Sequence, residues 1–367
     1  MQRKNFSIKR ASLFIVSFSI FIILLMYANP YPLTTNPATG LYYERGRVVE
    51  IYEENTEGHF HYQVLIVDVL SGEFRGLSVE ARNNLMDQRL RAFEVGDRVI
   101  LELTDHFIQI HSPERGNTLF IAIAIFVLLL CIIGGKKGLL ATLGLVFSLA
   151  SIGLILIPLT LAGYSSILIA LIVGILITVV TIVLLVGVNV KSISAIIGCV
   201  CGVIFAALFA FIVGHFSFTT GYHLEYAGFI RMIVDGEFPL SGIFVSGVII
   251  SALGAITDTA MSITSSMEEI HLANPEIEEK SLFRAGINVG RDIMGTMSNT
   301  LILAFVGSSL SMLLFNQAVE VSFIQFINND GIAIEIIQGI AGSIGIILTV
   351  PITVFVSAKL MKNFHKN

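Results

Sequence analysis

The chain has 367 residues, 54% of them hydrophobic and only 13% charged, with a formal net charge of −5 and a mean hydropathy of +0.84. A soluble domain carries about 25% charged residues, so this composition excludes a soluble enzyme and points to an α-helical polytopic membrane protein. Cys131, Cys199 and Cys201 all lie inside apolar runs, which indicates packing residues and no disulfide framework.

Arg3, Lys4, Lys9 and Arg10 precede an apolar run over residues 11–28. A cleaved signal peptide has the same outline, but this run is long for one and no small-x-small site follows it. An uncleaved anchor helix over 1–28 is therefore expected. Pro30, Pro32 and Pro37 mark a linker. Residues 29–116 then read as a small extracytoplasmic β domain. Runs at 46–52, 62–70 and 98–103 are β-type, with turn signals at Ser71-Gly72 and Val95-Gly96-Asp97. In the second run Val64, Ile66 and Asp68 alternate with Leu65, Val67 and Val69, which predicts a strand apolar on both faces. They predict an OB-like or SH3-like barrel, or a sandwich. Its arginines are offset by glutamates, so no nucleic-acid partner is expected. His59 and His61 share one strand face but lack a third ligand, which favours ordinary surface histidines.

Seven apolar spans follow, at 117–134, 139–158, 165–188, 193–214, 241–264, 293–315 and 334–358. Each reaches the roughly 20 residues that cross a bilayer. With the anchor this makes about eight transmembrane helices, seven of them in a domain over 117–367. Lys136, Lys137, Lys191, Lys280, Arg284, Arg291, Lys359, Lys362 and Lys366 all fall on the side of the amino terminus. The positive-inside rule then places both termini in the cytoplasm and residues 29–116 outside the cell membrane. Glycines recur in the spans, and Gly198 with Gly202 forms a small-xxx-small pair for close helix approach. Pro351 marks a kink point in the last span.

The outer stretch 215–239 is rich in aromatics, as interfacial segments are. Its His223 and Glu225 are candidates for holding a cation at an outer mouth, against the plainer reading of solvated charges beside an aromatic anchor. The cytoplasmic loop 266–287 continues the preceding helix through Met267–Ile270, breaks at Asn274-Pro275 and resumes as a solvated helix, with Ser281 as a candidate cap.

The polar content of the membrane domain concentrates in two stretches, 247–265 and 288–299. In the first, Gly247, Ser251, Gly254, Asp258, Ser262 and Ser265 recur at steps of three or four; in the second, Asn288, Asp292, Gly295, Thr296 and Asn299 do so, with Arg291 alongside. Such spacing puts each set on one helix face. A carboxylate in hydrocarbon is costly and normally faces protein, a cavity or a counter-charge. A polar seam between two packed helices is therefore expected. Transport or ion binding would use Asp258 and Asp292 as the titrating or cation-holding groups. Arg291 would act as counter-charge, and Thr257, Ser262, Asn288, Thr296 and Asn299 would supply neutral oxygens.

The segments Gly254-Ala-Ile-Thr-Asp-Thr-Ala-Met-Ser262 and Arg284-Ala-Gly-Ile-Asn-Val-Gly-Arg-Asp-Ile-Met-Gly-Thr-Met-Ser-Asn-Thr-Leu301 resemble the bacterial YibE/F-like family of multi-pass membrane proteins. The resemblance extends over most of the chain, anchor and outer domain included. It implies a membrane protein of the kind sometimes described as a predicted permease, and supplies no substrate or catalytic residue.

The seam itself carries the functional expectation: a permease or transporter of a proton, cation or small solute. The alternative is a membrane scaffold, sensor or assembly factor acting through its outer domain, with Asp258–Arg291 as a structural lock. An enzyme is not expected, because no zinc-protease, Gly-x-Gly-Asp or Gly-x-Ser-Gly motif is present. No cofactor is expected. The lipid bilayer is the principal partner, with a second copy or a paralogous membrane protein as candidate protein partners.

Overall fold

The computed structural model describes residues 42–55, 62–72, 74–85, 92–103, 107–219, 221 and 240–364. The expected anchor, its linker, His59, His61, His223, Glu225 and nearly all of the aromatic outer stretch lie outside the described residues. Two compact units divide between Ile133 and Gly134.

The first unit contains five strands: β1 (Tyr42–Asn55), β2 (Tyr62–Val69), β3 (Ser78–Asn84), β4 (Arg98–Leu103) and β5 (Ile108–Pro113). They form a closed barrel in the order β1-β2-β3-β5-β4, with β1 pairing with both β2 and β4. The barrel alternative of the sequence reading therefore holds and the sandwich does not. At 14 residues, β1 is long enough for both partners, and it bends through register shifts at Val48/Glu50 and Ile51/Glu53. Along β2, Gln63, Leu65, Val67 and Val69 point inward and their neighbours are half-buried. One face is thus fully buried, and the apolar Val64 and Ile66 of the other are half-buried. Leu65, Val67, Val69, Ala81, Phe93, Val99 and Leu101 fill the interior. Gly46 permits close approach here, since a Cβ at that position would strike Val67 Cγ1. Both expected turns are present, and Gly72 and Gly96 adopt positive φ values of 69° and 98°.

Eight α-helices follow among the described residues. They are α1 (Gly116–Ser151), α2 (Ile157–Leu161), α3 (Ser166–Val186), α4 (Val190–Phe216), α5 (Leu240–Ala273), α6 (Glu279–Ser308), α7 (Leu310–Ala318) and α8 (Phe323–Ile327). A ninth, α9 (Asp330–Phe364), ends the described chain and runs through Pro351. A π-helical turn, Ile152–Leu156, joins α1 to α2. Within α1 the helical dihedrals fail at Gly135, with φ 55° and ψ −131°. The expected spans 117–134 and 139–158 thus lie on one 46-residue stretch, Gly116–Leu161. The expected span 293–315 is also interrupted, because α6 and α7 meet at Ser309 with a bend of 57°. Among the described residues, five helices are long and apolar enough to cross a membrane, or six if the bent pair is one span.

In the second unit α9 packs along α4, α5 and α6, while α5 also packs on α3, α4 and α6. Apolar side chains such as Ile249, Ala252, Ile256 and Ala260 of α5 form the shared core with Ala341 and Ile346 of α9. The Gly198/Gly202 pair makes the expected close approach. A Cβ at Gly198 would strike Thr353 Oγ1, and one at Gly202 would strike Thr349 Oγ1. The hydroxyls buried in this core are largely satisfied within their own helices. Thr178 Oγ1 donates to Gly174 O, Thr259 to Ala255 O, Ser343 to Gly339 O and Thr349 to Gly345 O, all at 2.7–2.8 Å. Asn189 and Ser192 open α4 with a reciprocal capping box. Lys191 then pairs with Glu268 of α5 at 3.2 Å. α6 begins after Glu278 with no side-chain cap, so Ser281 lies inside the helix and does not cap it.

Candidate functional site

The sequence spacing predicts which residues share a face, and the structure shows where those faces point. Along α5 the buried ridge is Ala252, Ile256, Thr259, Ala260 and Ile263; along α6 it is Leu282, Gly286 and Gly290. Gly286 and Gly290 sit against Met267 and Val350, where larger residues would collide. The helices therefore dock through their small and apolar ridges. Ser251, Gly254, Asp258 and Ser262 of α5 lie on the exposed side, as do Asn288, Arg291, Asp292, Gly295, Thr296 and Asn299 of α6. The expected seam between packed helices is therefore an open polar face. A Cβ at Gly254 or Gly295 would meet no atom within 4 Å.

Within this face the charges stand apart. Among the described residues, no ion pair within 4 Å joins Arg291 to Asp258 or Asp292, so the expected Asp258–Arg291 lock is not formed. Thr296 Oγ1 donates back to Ile293 O at 2.9 Å and Thr300 Oγ1 to Thr296 O at 2.9 Å, leaving each hydroxyl oxygen free to accept. Thr257 departs from the set. Its Oγ1 lies 3.2 Å from Cys199 Sγ on α4, and that sulfur is 3.5 Å from Thr178 Oγ1 on α3. It is part of a polar chain stitching α3, α4 and α5, one residue from the open face. The three cysteines are free thiols, and Cys199 is fully buried, as expected of a packing residue. Among the described residues, no group of three His, Cys, Asp or Glu side chains is placed to hold a metal.

Asp258 stands 18 residues from the start of α5 and 15 from its end. At 1.5 Å per residue that is about 27 Å and about 22 Å, while the apolar span 241–264 closes about 9 Å beyond Asp258, farther than a short carboxylate side chain extends. Asp292 and Arg291 sit nearer the middle of α6 than its start, because α6 begins at Glu279.

A further acidic residue belongs to the functional inventory. Glu335 of α9 lines a cavity beside the α6–α7 bend, and its Oε2 is buried with no hydrogen-bond partner among the described residues. No motif marks it. The only sequence signal is a carboxylate at the second position of the apolar span 334–358.

No curated protein and no solved structure matches this chain. The family model described as YibE/F-like protein matches residues 122–363, which covers the helical unit and leaves out the barrel that the sequence resemblance was expected to include. Both polar stretches, every helix from α2 to α8 and all but the last residue of α9 fall inside that match, and the chain belongs to the YibE/F-like family.

Proposed function

We propose that this integral membrane protein is a permease for a proton, a cation or a small polar solute, with its path along the open polar face of α5 and α6. The observation that carries the reading is Asp258: an exposed carboxylate, without an ion-pair partner, in the middle of a helix long and apolar enough to span a bilayer. A charge there is too costly to face lipid, so its surroundings are water or another polar protein surface. Ser262, Asn288, Asp292, Thr296 and Asn299 extend the same chemistry along the helices, an oxygen-rich lining suited to hard cations or protonated solutes. Arg291 supplies a positive group that sets the selectivity of such a path. A second copy or a paralogous membrane protein would close its other wall. The scaffold alternative is less favoured, because its proposed lock is not formed.

The test is flux. Full-length protein in proteoliposomes should carry a proton or monovalent-cation current, read with an internal pH or potential dye. Asp258→Asn should abolish it while leaving the unfolding temperature within a few degrees of the wild type. Flux that is unchanged in Asp258→Asn would remove Asp258 from the path. A folded wild type that carries no tested ion would remove the ion reading and leave an uncharged solute.

A further inference from the structure

The α6–α7 bend creates a second feature that the polar face does not use. Ser309 is the hinge residue, with φ −91° and ψ 3°, and its interruption of the helix opens a cavity of about 200 Å³ against α9. Phe305, Leu313, Phe326 and Ile332 represent its walls, which are apolar except for Ser309 and Glu335. Ser309 and Glu335 share the lining of this cavity. A serine hydroxyl has a single proton to give, and Ser309 Oγ donates it to Phe305 O at 2.9 Å. The Glu335 Oε2 oxygen is buried and accepts no hydrogen bond among the described residues. A buried carboxylate oxygen without a donor is costly, so the cavity offers one strong acceptor at the edge of an otherwise greasy volume.

That combination selects a ligand class. A bare divalent cation needs six or more oxygens, and only two side chains here supply any. A hydrated ion fits poorly against aliphatic and aromatic walls. A molecule with an apolar body and one cationic N–H donor satisfies both halves of the cavity. We infer that the cavity between the α6–α7 bend and α9 binds a hydrophobic organic ammonium, its nitrogen donating to Glu335 and its body held by Phe305, Leu313 and Phe326. The inference concerns binding alone and does not depend on the polar face being a transport path.

Phenethylammonium is a suitable probe, with 2-phenylethanol as its uncharged counterpart of the same shape. Binding to full-length protein in nanodiscs would be followed by calorimetry. Saturable ammonium binding is expected in the wild type, at least tenfold weaker in Glu335→Gln, with the alcohol at least tenfold weaker than the ammonium on the wild type. Leu313→Trp, which fills the cavity and leaves the carboxylate in place, should abolish binding and covers the case in which the Glu335 variant does not fold. The inference is overturned by absent wild-type binding, by equal affinity for the two probes, or by binding that persists unchanged in folded Glu335→Gln or Leu313→Trp. Equal affinity would identify the cavity as a lodging for acyl chains only.

Discussion

Gln63 shows how a single polar residue can organise a small barrel. It is 1% exposed, inside an apolar interior. Its Oε1 accepts from Asn83 Nδ2 at 3.0 Å and from Phe93 N–H at 2.9 Å, while its Nε2 donates to Phe93 O at 3.2 Å. One amide thus ties β2 to β3 and seats Phe93, a core residue delivered by an irregular segment. Removing such an amide costs about 1–3 kcal/mol for the polar groups left behind. Gln63→Leu should speed amide exchange of the barrel strands by about tenfold or more, since about 1.4 kcal/mol is a factor of ten. Unchanged exchange would show that the amide is dispensable. On the outer surface of the same unit, Tyr62 donates its O–H to Glu53 Oε1 at 2.6 Å. That bond, with smaller contributions from desolvation and the Glu53 charge, pushes the phenol above its ordinary value of 10.0, against the lowering influence of Asn55 and Arg82. The raised value means that the folded state favours the neutral phenol. The contribution is present below the ordinary value and is lost as pH rises through the folded one. Glu53→Gln should bring the Tyr62 transition down in a tyrosine-selective NMR titration.

At the scale of elements, the two classes of helix face were unequally legible. The spans could be read because an apolar run of membrane length admits few other structures. The composition of the polar stripes could be read from a period of three and four. Their direction could not: α6 carries small residues on both sides, Gly286 and Gly290 on one and Gly295 with Thr296 on the other, and spacing does not say which side docks. Burial decides it, and the charged side is the open one. The bend at Ser309 was invisible because residues 301–315 are mostly apolar, with only Gly307-Ser308-Ser309 as a weak break signal. Strands β3 and β5 escaped for a related reason. The inward positions of β3 are Ala81 and Asn83, so the strand lacks an apolar alternation to detect. The α4–α9 contact, by contrast, was signalled by Gly198 and Gly202, and it yields a sharp expectation. Gly202→Val adds a Cβ that would strike Thr349 Oγ1 and crowd the Gly345 carbonyl, with two further methyl groups to accommodate. Overpacking of this kind costs typically 1–3 kcal/mol, and more where backbone is the obstacle. The variant should unfold several degrees below the wild type in a thermal melt, whereas Gly254→Ala, in open space, should melt with it. Similar melts for the two variants would mean that α4 and α9 can separate without loss.

For the whole molecule, the open question is how the chain crosses the membrane. Gly116–Leu161 contains 46 residues, which at 1.5 Å per residue is about 69 Å, more than twice the roughly 30 Å of a hydrocarbon core. One crossing cannot absorb that length. The break of helical dihedrals at Gly135 falls immediately before Lys136 and Lys137, so geometry and charge place a boundary at the same point. Two crossings meeting there would put both lysines in the cytoplasm, and the barrel that precedes α1 outside. Further along, the Lys191–Glu268 pair joins the start of α4 to the end of α5, which requires those two ends to lie on one side of the bilayer. Lys280 and Arg284 follow on α6 without an intervening span. By the positive-inside rule that shared side is expected to be the cytoplasmic one. Reporter fusions provide the measurement. Insertions at Gly138 and Glu278 should score as cytoplasmic, and those at Gly58 and Gly221 as extracytoplasmic. A cytoplasmic Gly58 together with an extracytoplasmic Gly138 would invert the whole arrangement. A Gly138 on the same side as Gly58, with Glu278 still cytoplasmic, would instead mean that residues 116–133 lie along the membrane surface and do not cross it, reducing the count of spans by one.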